Sequence, residues 1–297
     1  MTSITPTLDT GVPALVVDHP SETGEGPLWH EESGTLYWVD IPTGSLFRYD
    51  PDTGENTTVY KHHAMLGGYT IQTDGSLILF CDKGQVLRLI GDEPEVIIPE
   101  IDALSASRFN DVIADPEGRV FAGTMARGSE PAQLYRLDPD GSLNLVMDDL
   151  TLANGMGFSP DLSTFYLTDS DSRRIFRIPY DRKSGELGPK EVLVTVPEEG
   201  TVPDGMAVDL DGNIWSARWD GNGIYKYAPD GELLGKVEFP VRKVSSLTFG
   251  GANYDTAYVT TAGGANRNSE EGHTAGSLYL IDLKTTGKPP FRSRIGV

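Results

Sequence analysis

The stretch VPDGMAVDLDGNIWSA, residues 202–217, contains two strand-like segments joined by a tight turn. Asp211 and Gly212 form a strong hairpin signal, because this pair accepts the backbone angles that tight turns need. The flanking segments are rich in residues that favour strands. Asp204 stands just before the first strand, where it either helps Gly205 to form a turn or points its carboxylate at another group. The stretch alone leaves both alternatives open.

The same strand–turn–strand unit recurs along the whole chain. Its six copies turn at equivalent positions, which are Gly34, Gly75, Gly118, Asp161, Gly212 and Tyr254. The intervals between these turns are 41, 43, 43, 51 and 42 residues. Each copy is followed by a second alternating segment that breaks on Gly or Pro, as in LFRYDPDTG and IYKYAPDGE. A period near 40 residues with about four strands per copy is typical of a β-propeller.

We therefore predict an all-β fold, a six-bladed β-propeller with four strands per blade and a single domain over residues 1–297. A blade alone cannot bury both faces, so neighbours stack in a ring that hides its sheet edges. Residues 1–20 are the expected closing segment, whose stretch PALVVDHP pairs with the last blade. Residues 263–276, rich in Gly and Asn, are an expected loop insert, with a flap over one face as the weaker reading. A β-sandwich or a stack of unrelated hairpins is the alternative fold.

Composition restricts the classes of partner. The net charge of −20 would repel nucleic-acid phosphates, so nucleic acid is excluded as a partner. No apolar run is long enough to span a membrane, and we expect no signal peptide in MTSITPTLDT. Cys81 is the only cysteine, which excludes an internal disulfide and favours the cytoplasm. Nothing in the sequence indicates the oligomeric state.

A second set of equivalent positions lies about eight residues before the turns. Its members are Glu25, Gly67, Asn110, Asn154, Asp204 and Ser246. Equivalent positions of a propeller surround its axis at similar depth, so Asp204 is predicted to belong to a ring of polar groups. Unpaired carboxylates that leave water shift their pKa or recruit a cation. Carboxylate and amide oxygens suit a divalent cation, although each of these residues taken singly reads as an ordinary turn.

Five motifs of the chain, GEGPLW, YWVDI, SRFNDVIADPEGRVFAGTM, LANGMGFSPD and PDGMAVDLDGNIW, resemble the gluconolactonase family. That family includes senescence marker protein (regucalcin) and the sugar lactonases of pentose oxidation. The resemblance implies a six-bladed propeller with one divalent metal ion bound by Glu25, Asn154 and Asp204. It also implies that Arg108 and Asn110 contact the substrate. Calcium is the first choice for the ion, with zinc, manganese, magnesium or iron as alternatives.

The chain departs from the family at one place. Animal members resembling senescence marker protein carry a Glu shortly after FAGTM, whereas this chain reads ARGSEPAQ, with Arg127 and Gly128 in that neighbourhood. The departure alters a substrate contact and leaves the particular sugar open.

We predict metal-dependent hydrolysis of a sugar-acid lactone, similar to gluconolactone, xylonolactone or arabinolactone, to the aldonic acid. The small-molecule lactone is the expected partner, and Asp204 is the candidate that accepts a proton from the attacking water. Asp111, next to Asn110, is expected to point away from the channel. An organophosphate or aryl-ester hydrolase on the same scaffold, or a propeller that only binds calcium, are the alternative functions.

Overall fold

A computed structural model describes residues 5–197 and 200–296 of the chain. Its strands form six small antiparallel sheets, each with at least four strands. The sheets are arranged as the blades of a ring, so the prediction of a six-bladed β-propeller is confirmed. Among the described residues, no helix has the length and apolar character needed to cross a lipid bilayer.

The first three blades follow the sequence order of their strands. Blade 1 contains β2 (Gly24–His30), β3 (Thr35–Asp40), β4 (Ser45–Tyr49) and β5 (Asn56–Lys61). Blade 2 contains β6 (Leu66–Ile71), β7 (Leu77–Cys81), β8 (Val86–Ile90) and β9 (Glu93–Ile98). Blade 3 contains β10 (Phe109–Ala114), β11 (Val120–Thr124), β12 (Ala132–Leu137) and β13 (Leu143–Leu150). A short 3-10 turn at Asp102–Leu104 connects blades 2 and 3.

The last three blades complete the ring. Blade 4 contains β14 (Ala153–Phe158), β15 (Thr164–Asp169), β16 (Arg174–Asp181), β17 (Glu186–Leu187) and β18 (Glu191–Thr195). Blade 5 contains β19 (Val202–Val208), β20 (Ile214–Trp219), β21 (Gly223–Tyr227) and β22 (Leu233–Glu238). Blade 6 contains β23 (Val244–Gly250), β24 (Thr256–Thr261), β25 (Leu278–Ile281) and, as its outer strand, β1 (Ala14–Val17).

The two ends of the chain close the ring inside blade 6. Strand β1 pairs antiparallel with β25, with Ala14 opposite Leu280 and Leu15 opposite Tyr279. The predicted closure by terminal strands is therefore confirmed. It joins residues far apart in sequence, so the ring has no open blade at its seam.

The innermost strand of each blade lies against its neighbours around the axis. Strands β6 and β14 are buried over their whole length, whereas the outer strand β9 is mostly exposed. Close packing near the axis needs glycine: a Cβ atom added at Gly67 would lie 2.0 Å from the Phe109 carbonyl oxygen. Larger side chains pack further out, as where Trp29 of blade 1 stacks on Tyr258 of blade 6 at 5.5 Å between ring centroids.

The last residues cross the face of the ring where the inner strands end. We call residues 284–296 the C-terminal strap and call this face the lower face. Backbone hydrogen bonds hold the strap to blades 5, 6, 2 and 3, among them those from Leu210 N to Thr286 O, from Gly287 N to Tyr254 O, from Ser293 N to Ile71 O and from Arg294 N to Gly118 O. Its Ile295 side chain is buried in the core beside blades 2 and 3. The sequence analysis did not anticipate this segment.

Candidate active site

Every innermost strand is irregular at the position that the sequence repeat singled out. The register of its pairing with the next strand shifts at Glu25/Leu28, Leu66/Gly68, Phe109/Val112, Asn154/Met156, Pro203/Met206 and Val244/Ser246. Such a bulge places an extra residue on one strand and turns its side chain out of the regular alternation. The sequence repeat therefore marks six bulges near the start of the inner strands, on the upper face of the ring.

Four of the six equivalent positions meet in one cavity of about 320 Å³ on this upper face. These are Glu25, Asn110, Asn154 and Asp204, and Arg108 lies beside them. All the residues that the sequence analysis selected for the site are thus brought together. Of the two remaining positions, Gly67 has no side chain, and Ser246 lines a different cavity lower on the axis.

Glu25, Asn110, Asn154 and Asp204 form the buried floor of this cavity, and hydrogen bonds within and between blades hold it. The Asn154 side-chain Nδ2 donates to an Asp204 carboxylate oxygen and, over 3.1 Å, to Ser170 Oγ. Glu25 Oε2 accepts a hydrogen bond from the Gly26 backbone N–H over 3.0 Å. The three side chains come from blades 1, 4 and 5, so only the closed ring brings them together.

Arg108 and Asn110 form a second connected pair. Arg108 Nη1 donates to Asn110 Oδ1 and to the Phe109 carbonyl, both over 2.8 Å. Asn110 Nδ2 donates to the Ala153 carbonyl of blade 4 over 3.0 Å. Both ends of the Asn110 amide are therefore used within the protein. No described residue accepts a hydrogen bond from Arg108 Nε or Nη2, so these donors remain for a ligand.

The floor concentrates negative charge in a place with little water. Burial, and then repulsion from Asp204 and Asp111, raises the pKa of Glu25 well above its usual value. Burial and then Asp111 raise the pKa of Asp204 in the same way. The nearby Arg108 opposes both shifts, and burial lowers its own pKa. Without an added cation, the surroundings of these carboxyl groups disfavour their charged forms.

Asp111 does not point away from the channel, so that expectation was wrong. Its side chain lines the lower part of the axial channel, and burial raises its pKa to about 7. The reason is the bulge in β10, which lies between Phe109 and Val112. Because two residues there oppose one residue of the partner strand, Asn110 and Asp111 both face the axis.

Two further layers of side chains stand above the floor. The residues two positions before the floor residues form the first layer, and they are Thr23, Arg108, Leu152 and Val202. The residues at and just after the ends of the second strands form the rim, and they are Ile41, Met125, Ser170, Asp171 and Trp219. Of these two layers only Arg108 was predicted from the sequence, although the fixed offsets within the repeat were a usable signal for the others.

Cys81 offers no nucleophile for an alternative covalent mechanism. It is fully buried on β7, and burial raises the pKa of its thiol to about 12. A thiol with that pKa is protonated at neutral pH. Cys81 is therefore a packing residue of its strand.

The lower cavity of the axial channel has a different character. All six inner strands contribute to it, and the strap closes it from below with Lys288, Pro289, Pro290 and Phe291. Its volume is about 180 Å³. Phe291 packs against Phe158 with ring centroids 5.9 Å apart, and Lys288 Nζ donates to the Phe158 carbonyl over 3.4 Å.

The propeller with an acidic cavity at one end of its axis defines the class of fold and site. Residues 23–263 match the model of the SMP-30/Gluconolactonase/LRE-like region, and the chain belongs to this family. The match spans the whole set of floor residues.

Comparison with individual proteins gives relatives with stated activities. The chain is 44% identical to pentonolactonase XacC of Haloferax volcanii over 94% of this chain and 97% of that protein. It is 34% identical to a 6-deoxy-6-sulfogluconolactonase of Pseudomonas putida, over 86% and 88% of the two chains. A calcium-binding regucalcin of Agrobacterium tumefaciens has the same fold, with a TM-score of 0.87 at 24% identity over 98% of this chain and all of that one.

Proposed function

We propose that this protein hydrolyses a sugar-acid lactone to the aldonic acid in its upper cavity, with a divalent cation held by Glu25, Asn154 and Asp204. The family and its lactonase relatives place the protein among the sugar lactonases. The observation that carries the proposal is the meeting of these three side chains and Arg108 from four blades in one cavity. Its volume of about 320 Å³ lies in the range of small-molecule sites.

The electrostatics of the floor fit a cation. Burial raises the pKa of both carboxyl groups, and repulsion from neighbouring carboxylates adds to the shift, so a cation placed between them would be bound favourably. The available donors are oxygen atoms, which favour hard cations such as calcium, magnesium or manganese over ions that need sulfur ligands. Calcium is therefore our first candidate. A bound cation would polarise the lactone carbonyl and stabilise the oxyanion that forms on it.

Asn154 has to change its hydrogen bonds to take part. Its Nδ2 now faces Asp204, and its Oδ1 accepts from the Gly155 N–H over 3.1 Å. Ligation through Oδ1 needs a turn of the amide by about 180°, which is a common ambiguity of Asn side chains. A bound cation would then replace the hydrogen bond that Asn154 Nδ2 now donates to the Asp204 carboxylate.

Asp204 is the candidate acceptor for the proton of the attacking water. It is buried at the floor, where its carboxylate accepts a hydrogen bond from Asn154 Nδ2. Its raised pKa in the cation-free site makes it a stronger base than an exposed aspartate, and a bound cation would lower that pKa again.

Arg108 is the candidate that orients the substrate. Its Nε and Nη2 groups are free to donate to lactone oxygens, while Nη1 is fixed by Asn110. Asn110 lines the same cavity, but its amide is engaged on both sides. The geometry therefore favours a positioning role for Asn110, through Arg108, over a direct hydrogen bond to the substrate.

The test is a proton-release assay on protein stripped of metal and then loaded with calcium, magnesium, manganese, zinc or iron(II). The substrates are glucono-, xylono-, arabino- and galactonolactone. We expect no turnover after stripping and recovery with at least one cation. Full turnover by the stripped protein would contradict the role of the cation. Retention of a cation without turnover of any lactone or ester would favour a binding protein.

One observation favours a second candidate, an aryl-ester or organophosphate hydrolase. The walls above the floor include the apolar side chains of Ile41, Met125, Leu152 and Val202, which would accept an aryl group. Phenyl acetate and paraoxon therefore belong in the same assay. A higher kcat/KM on these compounds than on every sugar lactone would select this second candidate.

A further inference from the structure

The upper cavity has one more charged group, Asp171, to which the mechanism above gives no role. Asp171 follows β15 in blade 4 and lines the rim of the cavity. Among the described residues that line the cavity above the floor, Asp171 and Arg108 are the only charged ones. With the lactone carbonyl over the floor, a carboxylate at the rim would face the opposite part of the substrate.

The turn that carries Asp171 is held firmly by its neighbours. The Asp169 carboxylate accepts hydrogen bonds from the backbone N–H groups of Thr151 and Leu152, over 2.8 and 2.9 Å. The Ser172 backbone N–H donates to Thr151 Oγ1 over 3.0 Å, and the Ser172 hydroxyl donates to the Asp169 carbonyl over 3.0 Å. The backbone on either side of Asp171 is thus fixed, as a recognition residue requires.

The carboxylate of Asp171 itself has no partner among the described residues. The equivalent position of blade 5 is Asp220, which pairs with Arg242 at 2.8 Å and with Lys243 at 3.2 Å. Within the part of the chain that the structure describes, Asp171 receives neither a cation nor a hydrogen-bond donor. Partial burial, and then the charge of Asp169, raises its pKa.

An aromatic ring stands on the blade 5 side of the same rim. Trp219 is partly exposed and lines the cavity, whereas the other three tryptophans, Trp29, Trp38 and Trp215, are buried. Lys243 Nζ lies 5.7 Å from the centroid of the Trp219 ring, and Glu271 of the inserted loop pairs with Lys243 at 2.5 Å. Lys243 thus lies over one face of the ring. An aromatic face can pack on the C–H groups of a sugar while a carboxylate accepts from its hydroxyls.

We propose that Asp171 accepts a hydrogen bond from a substrate hydroxyl distant from the scissile carbonyl, and so selects polyhydroxylated lactones over unsubstituted lactones and aryl esters. This inference rests on the proposed function, since it assigns the substrate class of the same site. The hydroxyl donates, the Asp171 carboxylate accepts, and no bond is made or broken there. Asp171 is a specificity-determining residue in this scheme and has no part in the chemical step.

The experiment compares Asp171→Ala with a matched control, Asp148→Ala, on two groups of substrates. Asp148 is an exposed acid on the outer strand β13 and does not line the cavity. We expect Asp171→Ala to lower kcat/KM on xylono- or gluconolactone by about 10- to 100-fold, the usual effect of losing a hydrogen bond to a charged group. We expect kcat/KM on γ-butyrolactone and phenyl acetate, and the affinity for the loading cation, to stay within about twofold, because neither contact involves Asp171.

A second measurement covers the case in which the unsubstituted compounds are not turned over. Asp204→Asn protein is titrated with the stable γ-lactone of a sugar acid and with γ-butyrolactone, and binding is read from the intrinsic tryptophan fluorescence, to which Trp219 at the rim contributes. Addition of Asp171→Ala is expected to weaken binding of the hydroxylated lactone alone.

The outcomes separate this inference from the proposed function. An equal loss on hydroxylated and unsubstituted compounds, or no loss on either, overturns the role of Asp171 while lactone hydrolysis stands. Absence of turnover by the wild-type protein on every lactone overturns the proposed function, and the fluorescence titration then still shows whether Asp171 recognises hydroxyl groups.

Discussion

The two cavities on the propeller axis differ although the same inner strands build them. The upper cavity is lined by buried carboxyl and amide groups from four blades, whereas the lower one receives mostly apolar side chains from all six blades. The strap covers only the lower cavity. The bulge near the start of each inner strand separates the two, because it sends one polar residue upward before regular alternation resumes. A single local irregularity, repeated by the fold, thus creates a polar end and an apolar end.

Removal of the Asp204 carboxylate is expected to give the largest effect. Asp204→Asn should lower kcat/KM on a sugar lactone by about 100- to 10,000-fold, because it removes both a general base and a cation ligand. Initial rates at saturating cation check this, and calorimetric titration checks the loss of cation affinity.

The matched substitution in the lower cavity is Asp111→Asn. It also removes one buried carboxylate near the axis. Because Asp111 affects the floor carboxyl groups only by electrostatic repulsion, the loss in kcat/KM should stay below about 10-fold. Similar losses in the two variants would show that the axis works as one site, contrary to the division described above.

A substitution in the strap should affect folding and spare catalysis. Ile295→Ala removes a fully buried side chain of the strap, so the free energy of unfolding is expected to fall by about 2–4 kcal/mol. Urea denaturation measures this change. The kcat/KM of the folded variant at 25 °C should match that of the wild type. A change in the ratio of the kcat/KM values for two lactones would mean that the lower cavity influences substrate binding.

The stability of the cation-free protein should fall as pH rises. The unfolded-state pKa values are near 4.5 for Glu25 and 3.8 for Asp204, and the folded-state values lie well above them. The folded protein therefore binds these protons more tightly, so their stabilising contribution is complete below about pH 4 and is lost as pH rises through the folded-state pKa values. Burial raises the pKa of Asp111 from 3.8 to about 7, so Asp111 adds a further loss of stability as pH rises between these two values.

Melting temperatures at pH 5 and pH 8, with and without calcium, test this expectation. The fall between the two pH values should shrink in the presence of the cation and in the Asp204→Asn variant. A cation-free protein with equal or higher stability at pH 8 would contradict the electrostatic account of the upper floor.

The sequence predicted the blades because each one repeats a local pattern. Turns such as Asp211-Gly212 and alternating segments such as IYKYAPDGE specify their strands through short-range chemistry. The equivalence of Glu25, Asn154 and Asp204 followed from the same repeat. Their roles as ligands remain predictions that the stripping and loading experiment addresses.

Asp111 shows where a local pattern misleads. Adjacent residues of a regular strand point to opposite faces. Since Asn110 was predicted to face the axis, Asp111 was predicted to point away from it. The bulge in β10 cancels that rule, and its presence depends on how β10 pairs with β11. No residue type between Phe109 and Val112 marks the irregularity in the sequence.

The sequence by itself determined the number of blades, the closing strand and the set of polar positions near the axis, since these follow from periodicity and hydrogen bonding between near neighbours. The tertiary structure alone decided that the strap seals the lower cavity, that Asn110 holds Arg108, and that Asp171 and Trp219 share a rim. The strap and the rim join residues of different blades, and Asn110 is itself held by the Ala153 carbonyl of blade 4. Contacts between blades depend on the closed ring, which brings distant parts of the chain together at distances that no local pattern encodes.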